Sequence, residues 1–138
     1  MSDDEADAIP TPLILLVEDE ILIREMLVEA LEEAGFSTLA ASDAQGAIAL
    51  FEVNGDEIRG LITDINLEDG VDGWELARTA REHSSDLPVV YVSGASGHEW
   101  ASRGVPHSLM IAKPFAPAQI VVAISSLMVA METMPCPQ

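Results

Sequence analysis

The sequence is poor in cysteine and in positive charge. It holds one cysteine, Cys136, and six lysines and arginines against 24 aspartates and glutamates, which gives a net charge of −18. A single cysteine excludes a disulfide or a thiolate metal site within the chain, and it favours a reducing compartment. The negative charge repels polyanions, so we expect no binding to nucleic acid.

The sequence also lacks long apolar runs and regularly spaced histidines. No basic segment followed by an apolar one opens the chain, and no apolar run approaches the length of a membrane span. His83, His98 and His107 are scattered, without the spacing of zinc ligands. We therefore expect a soluble, cytoplasmic protein that binds no membrane.

Short apolar segments alternate with segments of helical periodicity along the chain. Its 138 residues, about half of them apolar, suffice for one domain with a real core. Most apolar segments are continuous, as expected for parallel strands buried on both faces. Right-handed crossovers then favour a doubly wound, flavodoxin-like α/β sandwich of five parallel strands in the order 2-1-3-4-5. We predict this domain over residues 12–132, between an acidic flexible tail at 1–11 and a flexible tail at 133–138.

Local signals mark where helices begin and end. Gly35 predicts a left-handed stop to the first helix. The Ser-x-x-Gln form of Ser42-Asp43-Ala44-Gln45 predicts a capping box, with Ser42 as the cap of the second helix. Asp72-Gly73 begins a third helix, and Pro117 occupies a first-turn position of the last. The helix around His98 to Arg103 has the weakest signal.

Polar side chains stand at the ends of four predicted strands. In an open parallel sheet, reactive groups lie just beyond the carboxyl ends of the strands. Lys113 is the only lysine in the chain, so its place at a strand end is not the by-product of a lysine-rich surface. The candidate site residues are Glu18 and Asp19 after the first strand, Asp64 on the third, Ser93 after the fourth and Lys113 after the fifth.

The types of these residues indicate phosphoryl chemistry beside a metal ion. Clustered carboxylates raise one another's pKa unless a cation neutralises them, and a hard ion such as Mg²⁺ prefers oxygen ligands. One acid after a strand is more often a loop residue or a helix cap, but Glu18, Asp19 and Asp64 together predict a Mg²⁺ site. The Asp64 carboxylate can act as a nucleophile toward phosphorus. Lys113 and Ser93 can then bind phosphoryl oxygens.

The motifs resemble the receiver domains of two-component response regulators. The resemblance covers residues 12–132, and its motifs stand in the same order and spacing: Val17-Glu18-Asp19-Glu20, Thr63-Asp64-Ile65-Asn66-Leu67, Asp72-Gly73, Val92-Ser93-Gly94 and Lys113-Pro114-Phe115. It implies that Asp64 accepts a phosphoryl group from the phosphohistidine of a sensor histidine kinase or a histidine phosphotransfer protein.

The resemblance also implies a role for each site residue. Glu18, Asp19, Asp64 and the backbone carbonyl of Asn66 would hold Mg²⁺. Ser93 and Lys113 would contact the phosphoryl oxygens, and the Lys113-Pro114 peptide bond would be cis.

Two positions depart from the family pattern. The family usually has Tyr or Phe three residues before the lysine, where this chain has Met110, so we do not carry over the usual aromatic switch. The loop from Glu68 to Val71 stands where a Pro-Gly step is common. We expect a stand-alone receiver whose output is a phosphorelay or a protein–protein contact. Its contact surface would comprise Ser96 to Arg103, the fifth strand and the last helix.

Three other classes of protein are less consistent with the sequence. An aspartyl-phosphate hydrolase typically has a second acid two residues after the nucleophile, where this chain has Asn66. A flavin or nucleotide binder needs a phosphate loop where Glu18, Asp19 and Glu20 would repel phosphate. A receiver-like module that works without phosphorylation would lack an acid or the lysine, and none is missing. We expect a signalling protein rather than an enzyme, which catalyses only its own Mg²⁺-dependent phosphorylation and dephosphorylation.

Overall fold

The fold is a parallel sheet between two layers of helices. The computed structural model describes residues 11–67, 71–94 and 100–133, and within them five parallel strands form one sheet in the order β2-β1-β3-β4-β5. The strands are β1 (Leu13–Val17), β2 (Ser37–Ala41), β3 (Ile58–Asp64), β4 (Val89–Ser93) and β5 (Ser108–Ala112). The helices are α1 (Ile21–Glu33), α2 (Ala44–Asn54), α3 (Gly73–His83), α4 (Trp100–Arg103) and α5 (Pro117–Thr133).

The predicted fold class and strand order are confirmed. None of the helices in the described ranges is long and apolar enough to cross a membrane. The two predicted tails, 1–11 and 133–138, lie almost entirely outside those ranges.

The core has two halves because alternate side chains of a strand point to opposite faces of the sheet. Leu15, Leu61 and Tyr91 face α2 and α3. Ile14, Ile62 and Val90 face α1 and α5. Burial on both faces explains why the strands are continuously apolar in sequence.

One predicted helix start was wrong by one residue. Asp43, not Ser42, is the N-cap of α2: its Oδ1 accepts a hydrogen bond of 2.7 Å from the Gly46 backbone N–H. The extended backbone of Asp43, at φ −149° and ψ 173°, places its carboxylate over the first turn of the helix. Ser42 lies one residue before that cap and is exposed.

The other predicted boundaries agree with the structure. Gly35 ends α1 at φ +101°, in the left-handed region. Asp72 caps α3 by accepting a 2.9 Å hydrogen bond from the Glu75 N–H. Pro117 is the first residue of α5. The Lys113-Pro114 bond is cis, as the resemblance implies.

Buried aromatic and polar contacts join α3, β4 and the single turn of α4. The rings of Trp74 and Tyr91 are buried, with centroids 4.6 Å apart. The Tyr91 hydroxyl accepts a 3.1 Å hydrogen bond from the Val105 N–H. Ser108 Oγ donates to the Val105 carbonyl at 2.6 Å and accepts from Trp100 Nε1 at 2.9 Å. The segment after α4 is therefore tied to the aromatic layer of the core.

Arg103 ties α4 to the start of α3. Its guanidinium lies 5.8 Å from the centroid of the Trp74 ring, within the range of a cation–π contact. Its Nη2 is 3.2 Å from Oδ2 of Asp72, the N-cap of α3. One arginine thus contacts both the cap of α3 and its buried tryptophan.

Gly73 lets α3 begin directly against the end of β3. Its backbone N–H donates a 2.8 Å hydrogen bond to the Ile65 carbonyl. A Cβ at this position would lie 2.4 Å from the Asp64 carbonyl oxygen and 2.9 Å from Ile65 Cα. These neighbours are backbone atoms, which cannot rotate away.

We predict that Gly73→Ala lowers the free energy of unfolding by about 1–3 kcal/mol, because the added methyl group forces α3 away from β3. Urea denaturation measures the change. Gly94→Ala is the matched control, since the nearest heavy atom to its Cβ, among the described residues beyond its chain neighbours, would be 3.9 Å away. We expect it to stay within about 0.5 kcal/mol of the parent. Equal stabilities for the two variants would contradict the prediction.

Candidate functional site

The predicted site residues converge at one edge of the sheet. Glu18 directly follows β1, Asp64 and Ser93 are the last residues of β3 and β4, and Lys113 follows β5. The chain reverses its winding direction between β1 and β3, the position where open α/β sheets place their sites. The carboxyl ends of four parallel strands therefore deliver these side chains to one cleft.

Three carboxylates form a compact cluster in this cleft. Glu18, Asp19 and Asp64 each offer an oxygen atom, and these oxygens all lie within 4.8 Å of one another. Glu18 and Asp64 are buried, with 1% and 5% of their surface exposed, and Asp19 is half-buried. Carboxylate oxygens are the donors that hard divalent cations prefer, so the cluster could hold such an ion.

Asn66 also contacts the central carboxylate. Its backbone N–H donates a 3.2 Å hydrogen bond to Asp64 Oδ1. This contact places residue 66 beside the acid cluster. The predicted role of its carbonyl in metal binding stays a prediction.

Lys113 supplies the positive charge that faces the cluster. Its Nζ lies 2.9 Å from Asp64 Oδ2, 3.6 Å from Glu18 Oε1 and 3.6 Å from Glu20 Oε1. Burial alone would lower the pKa of Lys113, but the hydrogen bond and charge of Asp64, with the charges of the two glutamates, outweigh it and raise that pKa. The ammonium group therefore keeps its charge throughout the neutral pH range.

Glu18 is the acid of the cluster that is hardest to ionise. Burial raises the pKa of Glu18 to about 7, although the hydrogen bond from the Glu20 backbone N–H, at 3.1 Å, acts in the opposite direction. This value includes the charge of Asp64, which also raises the pKa of Glu18, and the charge of Lys113, which lowers it. A buried carboxylate with a raised pKa resists ionisation unless a cation compensates its charge. The chemistry of the donor set thus fits a divalent cation.

Ser93 connects the cleft to β5. Its side chain is buried, and its backbone carbonyl accepts a 2.8 Å hydrogen bond from the Lys113 N–H. Ser93 also pairs in register with Ala112, the last residue of β5. The end of β4 therefore fixes where Lys113 leaves the sheet.

The sequence did not predict two contacts of the site. Glu20 reaches Lys113, and Arg24 Nη1 donates a 2.8 Å hydrogen bond to the Glu18 carbonyl. In the sequence Glu20 directly follows the two predicted acids, and this adjacency indicates that it lies near the site. The direction of its side chain depends on where Lys113 arrives from a distant strand, and sequence spacing does not give that.

Comparison with known proteins identifies a family for this arrangement. Residues 14–125 match the profile described as the response regulator receiver domain. A response regulator receiver protein from Sinorhizobium medicae has a crystal structure that superposes with a TM-score of 0.85 at 40% identity, over 90% of this chain and 99% of that one. The response regulator receiver protein CpdR of Brucella abortus is 33% identical over 119 residues, 85% of this chain and 97% of CpdR.

A longer regulator also matches this chain. The phosphate regulon transcriptional regulatory protein PhoB of Pseudomonas aeruginosa is 31% identical over 119 residues. The match covers 83% of this chain, which spans about half of PhoB, 51% of its length.

We predict that Glu18→Gln makes the metal-free protein more stable at about pH 8. The folded-state pKa of about 7 exceeds the ordinary value of 4.5, so the cost of ionising buried Glu18 grows as pH rises between these values and is fully present above them. Glutamine removes the charge, which should raise the free energy of unfolding by on the order of 1 kcal/mol.

Urea denaturation in EDTA at about pH 8 and about pH 5 measures this gain, which should shrink at the lower pH. Glu25→Gln, at an exposed position of α1, is the control and should change little. A Glu18→Gln variant less stable than the parent at the higher pH would contradict the prediction.

Proposed function

The chain belongs to the response regulator receiver family, and from this premise we propose that it is a phosphorylation-dependent signalling switch with Asp64 as its phospho-acceptor. Receiver domains pair with histidine kinases or phosphotransfer proteins. The proposed donor is the phosphohistidine of such a partner. The observation that carries the proposal is the contact of Asp64 Oδ2 with Lys113 Nζ, at 2.9 Å, beside two further acids.

In the proposed transfer, a carboxylate oxygen of Asp64 forms a bond to phosphorus while the bond from phosphorus to the donor's imidazole nitrogen breaks. The electron pair of that bond stays on the imidazole nitrogen. Such transfers require positioning and charge neutralisation more than covalent assistance from the protein. We assign Lys113 to one phosphoryl oxygen as a point charge and the Ser93 hydroxyl to another as a hydrogen-bond donor.

We assign Glu18, Asp19, Asp64 and the Asn66 backbone carbonyl to Mg²⁺. The ion, when bound, supplies positive charge that offsets the repulsion between these carboxylates and an anionic phosphoryl donor. The raised pKa of Glu18, with the three converging oxygens, supports this assignment.

We propose that phosphorylation changes a protein-binding surface made of residues 96–103, β5 and α5, of which 96–99 lie outside the described residues. Support comes from the contacts that lead from Asp64 to this surface. The end of β3 packs on Gly73, and the neighbouring Asp72 pairs with Arg103 of α4. A shift of the Asp64 backbone would therefore act on the anchor of α4.

We further propose that the protein is cytoplasmic. We also propose that it is a signalling protein rather than an enzyme that acts on an external substrate. The single cysteine suits a reducing compartment. The exposed Asn66, two residues after Asp64, lacks the carboxylate that an aspartyl-phosphate hydrolase would use there. A receiver-like module that binds partners without phosphorylation is the alternative, and a phosphorylation assay excludes or establishes it.

We predict that the protein gains the mass of one phosphoryl group when it is incubated with acetyl phosphate and Mg²⁺. Intact-mass spectrometry detects the gain, which Asp64→Asn and EDTA should each abolish. Asp86→Asn removes an exposed acid remote from the cleft and should keep the gain. An unmodified parent that also shows no response to beryllofluoride would overturn the proposed function in favour of a phosphorylation-independent module.

We predict that the phosphoryl analogue beryllofluoride, added with Mg²⁺, changes the tryptophan fluorescence of the parent through Trp100, which is 36% exposed. Trp100→Phe should remove most of this change. Arg103→Gln should reduce it by about half or more while the analogue's affinity stays within about twofold, because this variant loses the link between Asp72 and α4. Arg59→Gln, at an exposed position of β3, is the control. A full fluorescence change in Arg103→Gln would exclude this route.

A further inference from the structure

Glu20 stands at a helix cap but does not use its side chain as one. It is the N-cap residue of α1, with extended backbone angles of φ −84° and ψ 118°, and its carbonyl accepts a 2.9 Å hydrogen bond from the Arg24 N–H. A capping acid normally accepts a hydrogen bond from a first-turn N–H. The Glu20 side chain makes no such bond to the described residues of α1. Its Oε1 instead lies 3.6 Å from Lys113 Nζ, across the cleft.

Glu20 differs from the other two carboxylates that contact Lys113. Its side chain is 61% exposed, whereas those of Glu18 and Asp64 are 1% and 7% exposed. Among the described residues, the cluster that could hold a cation consists of Glu18, Asp19 and Asp64, without Glu20. An exposed ion pair is weak and exchanges readily with water, so Glu20 can leave the lysine at small cost. The two buried partners cannot leave it in this way.

We propose that Glu20 is a displaceable counterion of Lys113, a positioning residue that holds the ammonium group before phosphorylation and releases it to the phosphoryl oxygens afterwards. This inference rests on the proposed function. An incoming phosphoryl group and the Glu20 carboxylate compete for one positive charge, the only lysine of the chain. Glu20 therefore limits how readily the site accepts a phosphoryl group.

The direct test is the affinity for beryllofluoride at saturating Mg²⁺. Glu20→Gln removes the competing charge and should tighten binding of the analogue about two- to fivefold, the range expected for an exposed ion pair. The initial rate of phosphorylation by acetyl phosphate should rise by a similar factor. Glu20→Asp keeps the charge but shortens the side chain by one methylene, so its affinity should fall between those of the parent and Glu20→Gln.

Glu25→Gln controls for the change in net charge. Glu25 is exposed on the same helix and lines a groove with Val28 and Ala40. Glu25→Gln removes the same charge from the protein, but at a greater distance from Lys113, where screening by salt is stronger. Equal analogue affinities for Glu20→Gln and Glu25→Gln would overturn the inference.

The affinity for Mg²⁺ alone separates this role from two others. If Glu20 helped to bind the metal, or only maintained the local fold, Glu20→Gln would weaken both Mg²⁺ and analogue binding. If Glu20 acts as the counterion of Lys113, Glu20→Gln should bind the analogue more tightly while its affinity for Mg²⁺ stays within about twofold of the parent's. If the parent binds the analogue and Glu20→Gln binds it with the same affinity, this inference alone is refuted. A parent and variant that neither bind the analogue nor gain a phosphoryl group from acetyl phosphate refute the proposed function.

Discussion

The contact between Lys113 and Asp64 is the interaction on which the rest of the site depends. Carboxylates this close and this buried would repel one another strongly without a cation nearby. The ammonium group arrives from β5, two strands away from β3 in the sheet. The hydrogen bond from the Lys113 N–H to the Ser93 carbonyl fixes where the backbone of this residue leaves β5. The order of the strands is therefore a requirement of the electrostatics and not only of the packing.

Packing of the strands offsets the electrostatic repulsion within this site. Glu18 and Asp64 leave the sheet directly from β1 and β3, whose side chains are almost all buried in the two halves of the core. Rigid, apolar strands hold the carboxylates together against their repulsion, as expected where a functional site opposes stability. Gly73 adds to this rigidity by bringing the start of α3 into contact with the Asp64 backbone. Two carboxylates of the acid cluster thus extend from backbone that is closely packed against its neighbours.

Continuous apolar segments made the sheet, and the edge of the sheet where the candidate site residues meet, predictable from the sequence, whereas contacts that depend on packing were missed. Runs such as Leu13–Val17 indicate buried parallel strands, and polar residues at the ends of such strands indicate the candidate site. Ser42 and Asp43 are both good helix caps, so the choice between them depends on backbone angles that composition does not reveal. The contact of Glu20 with Lys113 joins residues far apart in the chain. This contact is found only when the ends of β1 and β5 are positioned in the three-dimensional structure.

The aromatic chemistry of β4 bears on how a signal can leave the site. Tyr91 pairs in register with Met110, the position where the family usually has an aromatic residue. Its ring is buried against Trp74, and its hydroxyl accepts the Val105 N–H. Rotating this ring outward would leave a buried N–H unpaired, at a cost of about 1–3 kcal/mol, and would open a cavity in the core. By contrast, the Arg103 ion pair is partly exposed and can break at small cost. These energies support the proposed route through Asp72 and Arg103, in which α4 moves relative to a fixed aromatic layer, over one in which a ring changes its rotamer.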